Sequence, residues 1–375
     1  MRLNKSLPSL LLAGAALLGA TRASASVPLG DGAEAFVTLK GGLEYNDNLF
    51  LAERNADSDT IWRLTPGVDV LFGQNSLAQG TFTYTEEFKF YSDNSSIDTS
   101  LSTVNASLVY DNEKTKVDAK AGFQQLDQPT ADARGAGLVK RDVTDFGVNG
   151  EYNLTEKTSF KLGITYNDTA YAAASFADWE YYQIPVNYYY EVAPKLDASF
   201  GFSYKDNMLG NGQSDTEEYY YNVGARGELA PKLTGELSLG YKQSEFEVGD
   251  SQSTFGIDSK FTYVYSEKTS LDANLSNGFG FSGVGESYRT LAFGGGLTSS
   301  ISEQLQIGAR LSYSNNDYLT TTQDDKLISA SVNASYKYNE YVTFAGSFAM
   351  TDNNSNRAGS DFTGNVLVLS AALRY

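Results

Sequence analysis

Side chains that perform covalent chemistry are scarce in this sequence. The chain has no histidine and no cysteine among its 375 residues. Without histidine, Ser-His-Asp and Cys-His catalysis have no base, and the commonest zinc ligand is missing. Without cysteine, disulfides, iron–sulfur clusters and thiol catalysis are excluded. We therefore predict no catalytic residue, no cofactor, no metal site and no enzymatic activity.

Charge is the chemistry that remains. Acidic residues number 46 against 28 basic residues, which gives a formal net charge of −18. A nucleic-acid partner would require a basic surface, so this class of partner is excluded. One segment, residues 127–142, mixes both signs, and its charged residues are Asp127, Asp132, Arg134, Lys140, Arg141 and Asp142. Such groups act on a passing solute through its charge.

The first 25 residues are typical of a secretory signal peptide. Two basic residues precede an apolar stretch within residues 7–20, and Ala23 and Ala25 form a cleavage site of the small-x-small type. A retained membrane anchor is the alternative, but the apolar stretch is short and ends in small residues. Cleavage would leave a single domain, residues 26–375. It would remove three basic residues and no acidic one, so the net charge becomes −21.

Alternation of apolar and polar residues continues through most of the remaining chain. In Ser159–Tyr166, Phe160, Leu162 and Ile164 point one way, whereas Lys161 points the other. This period of two predicts β-strands with unlike faces. Short turns of similar sequence recur at intervals of 36 to 38 residues, at Lys157, Lys195, Lys232, Lys268 and Gln304.

The repeat predicts an all-β fold: a transmembrane antiparallel up-and-down β-barrel of about 18 strands, within a range of about 16–20. Eight tight turns connect eight hairpins, and one further strand stands at each end. Tyrosines stand near both ends of many strands and flank an aliphatic band, as expected at two membrane interfaces. A soluble sandwich or propeller is the alternative, but a soluble sandwich has less reason to carry aromatic residues at both strand ends.

The last strand has an apolar alternation that ends on an aromatic residue. Its members are Leu367, Leu369, Ala371, Leu373 and Tyr375. The pattern looks like the C-terminal signal that the barrel-assembly machinery reads in outer-membrane proteins. We therefore expect that machinery and outer-membrane lipid as partners.

Long polar connections join the strands at the end opposite the tight turns, and we place this end outside the cell. We predict nine such connections, at residues 47–59, 92–100, 127–142, 167–180, 205–218, 242–252, 282–289, 314–326 and 351–364. They hold 25 acidic and nine basic residues, so the outer mouth is predicted to be acidic. This charge would attract cations and repel anions. Two alternatives stay open: the carboxylates hold divalent cations shared with anionic surface lipid, or they only keep the loops solvated.

Segment 127–142 is the third of these outer connections. In general porins the third loop folds inward and forms the constriction. By this positional analogy, Arg134, Lys140 and Arg141 would face Asp127, Asp132 or Asp142 across a narrowed pore. An ordinary exposed loop is the alternative.

The end of the first strand, Glu44-Tyr45-Asn46-Asp47-Asn48-Leu49-Phe50, and the uninterrupted barrel pattern resemble the putative β-barrel porin type 2 family. The resemblance implies an outer-membrane channel in a Gram-negative-type bacterium, for passive diffusion of small hydrophilic solutes or ions. Some members accompany exopolysaccharide clusters, so a barrel that exports or binds polysaccharide is the alternative. The oligomeric state stays open between monomer and trimer.

Overall fold

The computed structural model describes residues 26–30, 32–74, 76–129, 137–210 and 212–375. Strands occupy most of this length. In chain order they are β1 (Val27–Pro28), β2 (Ala33–Asn46), β3 (Asp59–Phe72), β4 (Ala78–Tyr91), β5 (Thr99–Asp111), β6 (Thr115–Gln128), β7 (Val139–Thr155), β8 (Thr158–Tyr171), β9 (Trp179–Ala193), β10 (Leu196–Leu209), β11 (Thr216–Ala230), β12 (Leu233–Phe246), β13 (Gln252–Ser266), β14 (Thr269–Phe281), β15 (Ser287–Ser300), β16 (Leu305–Tyr318), β17 (Asp324–Lys337), β18 (Val342–Ser355) and β19 (Phe362–Arg374). A 3₁₀ turn, Ser95–Ile97, precedes β5. Among the described residues, no helix is long and apolar enough to span a membrane.

Strands β2 to β19 form a closed ring. Each pairs antiparallel with the next strand in the chain, and β19 pairs with β2 over the register Val366↔Asn46 to Arg374↔Thr38. The two-residue strand β1 lies beside β2, with Val27 opposite Ala35. The prediction of an antiparallel barrel of 18 strands is confirmed, with β1 as one extra strand.

The outer face of the ring is apolar and uncovered. Phe200 is 63% exposed, Val223 59% and Leu162 48%. A soluble sandwich buries such side chains, whereas a barrel in lipid presents them to hydrocarbon. Polar residues alternate with them and face inward. The period of two therefore separates a lipid-facing side from a lumen-facing side, as the sequence predicted.

The strands extend further at the outer end than their composition indicates. Residues predicted to be loops 205–218 and 242–252 belong largely to strands, which leaves connections of only 210–215 and 247–251. The prediction fails here because both faces of a strand meet water above the bilayer, so its residues are polar like those of a loop. Likewise β6 continues to Gln128 and β7 begins at Val139, within the segment predicted as the third loop.

Buried apolar side chains cluster at the outer mouth. Leu49 from the β2–β3 connection packs with Ile61 and Tyr91, which are 3% and 5% exposed. A second cluster joins Val139 at the start of β7 to Phe176 in the β8–β9 connection. The outer connections therefore pack inward on the barrel rim.

Candidate functional site

Charges on the inner wall form ion pairs between strands along the height of the barrel. Arg63 on β3 lies between Glu44 on β2, at 2.6 Å, and Glu87 on β4. Arg374 on β19 lies 3.3 Å from Asp69 on β3. Strand alternation places all five side chains on one face, and pairing lowers the cost of holding them together in the lumen.

Arg226 on β11 joins residues from four other strands near the tight turns. Its Nε donates to Asp197 at 2.9 Å and its Nη1 donates to Glu151 on β7 at 2.9 Å. The guanidinium carbon lies 3.3 Å from the centre of the Tyr189 ring, which is 2% exposed. The network lines a cavity of about 690 Å³ that opens toward this end of the barrel.

Aromatic residues and lysines share the upper inner wall between β9 and β14. Lys205 Nζ lies 4.7 Å from the centre of the Tyr181 ring and 3.1 Å from Glu218. Lys242 Nζ lies 4.5 Å from the centre of the Tyr220 ring. These cation–π contacts and ion pairs fix both ammonium groups. The cavity beside them measures about 370 Å³.

Two outer connections meet above this cavity. The amide of Ala177, between β8 and β9, donates to the carbonyl of Gly283, between β14 and β15, at 3.0 Å. The rings of Trp179 and Phe281 lie 5.9 Å apart between their centres. The indole Nε1 of Trp179 is buried and has no hydrogen-bond partner.

A buried carboxylate orders the neighbouring connection on the other side of the mouth. Asp59, at the start of β3, is 1% exposed. Its oxygens accept from the backbone amides of Ser92, Asp93 and Asn94 at 3.0 to 3.2 Å. The segment after β4 is thereby tied to the rim.

The residues predicted for a constriction loop lie partly on paired strands. Asp127 on β6 stands opposite Lys140 on β7, and Asp142 accepts from Gln125 Nε2 at 3.3 Å. Arg141 stands opposite Leu126. Asp132 and Arg134 lie outside the described residues, as do Ala23 and Ala25 of the predicted cleavage site.

Alternation in the sequence indicates that Tyr220 faces the lumen, but sequence reasoning missed the lysines and the other aromatic residues of this wall. Lys205, Glu218 and Lys242 were assigned to outer loops, although each faces the lumen from a strand. A usable signal was present, because Trp179 and Tyr181 are two residues apart and so share a face. Among the described residues, no group of three acidic side chains is placed to hold a metal ion.

The last strand completes the ring with its apolar side outward. Leu367 and Leu369 are 43% and 54% exposed on the outer face. The carbonyl of Tyr375 accepts from the Val37 amide at 2.7 Å, and the Tyr375 amide donates to the Val37 carbonyl at 2.9 Å. Ala371 and Leu373 pair with Gly41 and Leu39 of β2.

A closed ring of 18 strands, with lipid-facing apolar residues and a charged, polar lumen, defines an outer-membrane β-barrel of porin architecture. The family model for putative beta-barrel porin 2 matches residues 35–375, and the chain belongs to that family. Membership implies a porin-like channel protein of the outer membrane.

Solved structures share the fold at low sequence identity. Pseudomonas aeruginosa OccK2 (OpdF), in complex with glucuronate, has 11% identity and a TM-score of 0.50, with 91% of this chain and 98% of that chain covered. The BenF-like porin from Pseudomonas fluorescens Pf-5 has 10% identity and a TM-score of 0.50, with 93% and 100% covered. No protein of curated function matches this chain in sequence.

Proposed function

We propose that this protein is a channel for passive diffusion of small hydrophilic solutes, and that its acidic outer mouth favours cations. The main support is the inner wall, where charged groups such as Arg63 and Arg226 are compensated by neighbouring carboxylates. A wall of paired charges is wetted and carries little net field, so small polar solutes meet no large electrostatic barrier inside.

The proposed cation preference rests on the outer connections. They carry 25 acidic and nine basic residues, counted over the segments predicted as loops. Carboxylates at the mouth raise the local concentration of cations, and added salt screens this effect over a Debye length of about 8–10 Å.

Planar-bilayer recording of the refolded protein tests the channel. We expect stable conductance steps and, in a KCl gradient, a reversal potential of the sign that cation selectivity requires. Absence of stable steps would contradict the channel, and a reversal potential near zero or of opposite sign would contradict the cation preference.

A pair of charge variants locates the selectivity. Neutralising three exposed outer carboxylates, Asp93→Asn, Glu247→Gln and Asp250→Asn, should lower the cation preference. The matched control neutralises three exposed carboxylates in the tight turns, Glu156→Gln, Glu267→Gln and Glu303→Gln. If both sets of variants shifted the reversal potential equally, the cation selectivity would not arise from the outer mouth.

Export and assembly complete the proposal. The chain would be exported in a Gram-negative bacterium with cleavage after Ala25, leaving residues 26–375 as one domain. The barrel-assembly machinery would read the C-terminal residues from Leu367 to Tyr375. A contribution of segment 127–142 to narrowing of the pore stays a prediction, and so does the choice between monomer and trimer.

A further inference from the structure

Two outer connections form a bridge over the lumen. We define the bridge as residues 172–179, which precede and begin β9, and residues 281–286, which end β14 and follow it. It is held by the hydrogen bond from the Ala177 amide to the Gly283 carbonyl, at 3.0 Å. The Trp179 and Phe281 rings add a tilted aromatic contact with their centres 5.9 Å apart.

The bridge requires the β14–β15 hairpin to lean into the barrel. Strands β9 and β14 are separated by four other strands. Five steps between neighbouring strands correspond to about 24 Å along the wall at about 4.8 Å each. Aromatic side chains alone do not span this distance, so at least one backbone segment must leave the wall. Strand alternation would place Phe281 on the lipid face with Leu275, yet it is buried against Trp179.

The hairpin separates from the wall on its β14 side, where pairing with β13 stops, whereas β15 stays paired with β16 up to Tyr288↔Tyr318. The β13–β14 ladder ends at Asp258↔Ser276, although both strands continue beyond this pair. Above it, side chains replace the ladder bonds. The Asn277 Oδ1 accepts from the Ile257 amide at 2.9 Å, and Asn277 Nδ2 donates to the Phe255 carbonyl at 2.5 Å.

Lys242 adds a further side-chain contact to β14, from the lumen side, above the end of the β13–β14 ladder. Its Nζ donates to the Asn277 carbonyl at 2.6 Å and lies 2.8 Å from Asp258. The side chain reaches β14 across Gly256, where a Cβ would lie 2.9 Å from Lys242 Cγ and 2.5 Å from Tyr220 Cε2. Gly256 therefore leaves the room that Lys242 needs, and Lys242 and Asn277 act as positioning residues for the hairpin.

A third connection packs against the bridge. A Cβ at Gly285 would lie 2.6 Å from Gln213 Cγ, in the β10–β11 connection, and 3.2 Å from Ala177 Cβ. The three connections meet at the outer end of the strands whose side chains Trp179, Tyr181, Lys205 and Tyr220 line the cavity.

We infer that the bridge is a constriction that sets the size limit of the channel, closing the sector of the outer mouth above β9 to β14. This inference rests on the proposed channel function. Trp179 and Phe281 are its size-determining residues, and solutes pass through the remainder of the mouth.

Removal of the aromatic contact tests the constriction. The double variant Trp179→Ala/Phe281→Ala should open part of the sector, which subtends about a quarter of the ring, because it removes both rings and leaves the Ala177–Gly283 backbone hydrogen bond in place. Because conductance follows the open cross-section, we expect a rise of up to roughly 1.3-fold, the value for a quarter of the ring opened completely, and entry of larger polyethylene glycols. The matched control is Trp62→Ala/Phe200→Ala, which removes the same ring types from the lipid face, where they are 59% and 63% exposed.

The positioning role of Lys242 and Asn277 is tested separately. Lys242→Met/Asn277→Ala should raise conductance in the same direction, because it frees the hairpin from β13. The control is Asn333→Ala, a lumen-facing asparagine on β17 where the strand pairs with both neighbours. Each variant is first checked for folding by heat-modifiable migration on a gel.

A cysteine pair provides a readout that does not depend on conductance. Because the chain has no cysteine, Ala177→Cys/Gly283→Cys introduces its only thiols. An intramolecular disulfide should form in the folded protein, and the two single variants control for bonds between molecules. Two results would overturn the inference. In the first, the wild type conducts, and the variants have the same conductance and exclude the same polymers as the wild type. In the second, the two introduced thiols react with maleimide but form no disulfide. A folded wild type without conductance would instead contradict the proposed function, and the constriction with it.

Discussion

Arg226 is a single lumen residue that contributes to the stability of the barrel through two ion pairs. Its side chain is 24% exposed, and its partners Glu151 and Asp197 are 20% and 28% exposed. Arg226→Met would leave two carboxylates without their cation, and we expect the free energy of unfolding to fall by about 1–3 kcal/mol. Urea unfolding followed by tryptophan fluorescence measures this change.

The comparison for that prediction is Arg289, which pairs with Asp317 at 2.8 Å with both side chains more than 40% exposed. Arg289→Met should cost at most about 1 kcal/mol, because water already screens the pair. Equal losses in the two variants would show that the Arg226 network adds nothing beyond a surface ion pair.

For single residues, the sequence predicts which side chains face the lumen but does not predict which of them form ion pairs with one another. The alternation of apolar and polar residues along β7, β10 and β11 is enough to put Glu151, Asp197 and Arg226 on the lumen face. It could not bring Arg226 to Glu151, which precedes it by 75 residues, because that contact depends on how far each side chain reaches across the curved wall. The guanidinium also lies 3.3 Å from the centre of the Tyr189 ring, and the pattern of a single sequence does not predict such a contact.

The tight turns differ in backbone conformation although their sequences are alike. Lys195 and Lys232 have φ values of 66° and 65°, in the left-handed region, whereas Lys157 is not among the residues with positive φ. A residue with a Cβ is strained there, and a β-branched one more so. We expect Lys232→Gly to be neutral or stabilising by up to about 1 kcal/mol, and Lys232→Val to be destabilising by about 1–2 kcal/mol.

Lys157→Gly is the matched control in the corresponding turn. With no positive φ to relieve, it should gain no stability and should lose some through the greater freedom of the unfolded chain. Urea midpoints of the three variants are sufficient for the comparison. A Lys232→Val variant as stable as the wild type would rule out strain at this position.

Strands were predictable where lipid and lumen impose unlike faces, as in Ser159–Tyr166. They were not predictable above the bilayer, where Lys205, Glu218 and Lys242 look like loop residues. The bridge was beyond reach for a further reason: Ala177 and Gly283 meet through backbone atoms, and small residues in a connection signal no partner. Asn277 likewise reads as an ordinary polar residue until the end of the β13–β14 ladder is known.

For the molecule as a whole, assembly depends on the joint between the last strand and the first long one. Tyr375 makes two backbone hydrogen bonds to Val37, and its ring lies 6.0 Å from that of Tyr341. We expect Tyr375→Ala to lower the amount of heat-modifiable barrel in the outer membrane severalfold, whereas Tyr375→Phe should retain it. The backbone bonds survive both changes, so the difference reports on the aromatic ring.

Tyr338→Ala serves as the comparison, because this tyrosine is 60% exposed in a tight turn. It should leave the folded amount unchanged. If Tyr338→Ala lowered the amount as much as Tyr375→Ala, a general need for interfacial aromatic residues would explain both results.

The same joint has a kinetic consequence. Every other ladder in the ring joins strands consecutive in sequence, so those contacts are local and form after closing short loops. Among the strands that the structure describes, only the β2–β19 ladder joins residues more than 300 positions apart, as Val366 and Asn46 are. Forming this ladder closes the longest loop in the fold, so it carries the largest loss of loop-closure entropy, and the whole loss occurs in a single step. Contacts between residues close in sequence form faster. Docking of the two end strands should therefore limit the refolding rate, and variants in β2 or β19 should slow it more than equally destabilising variants in β10.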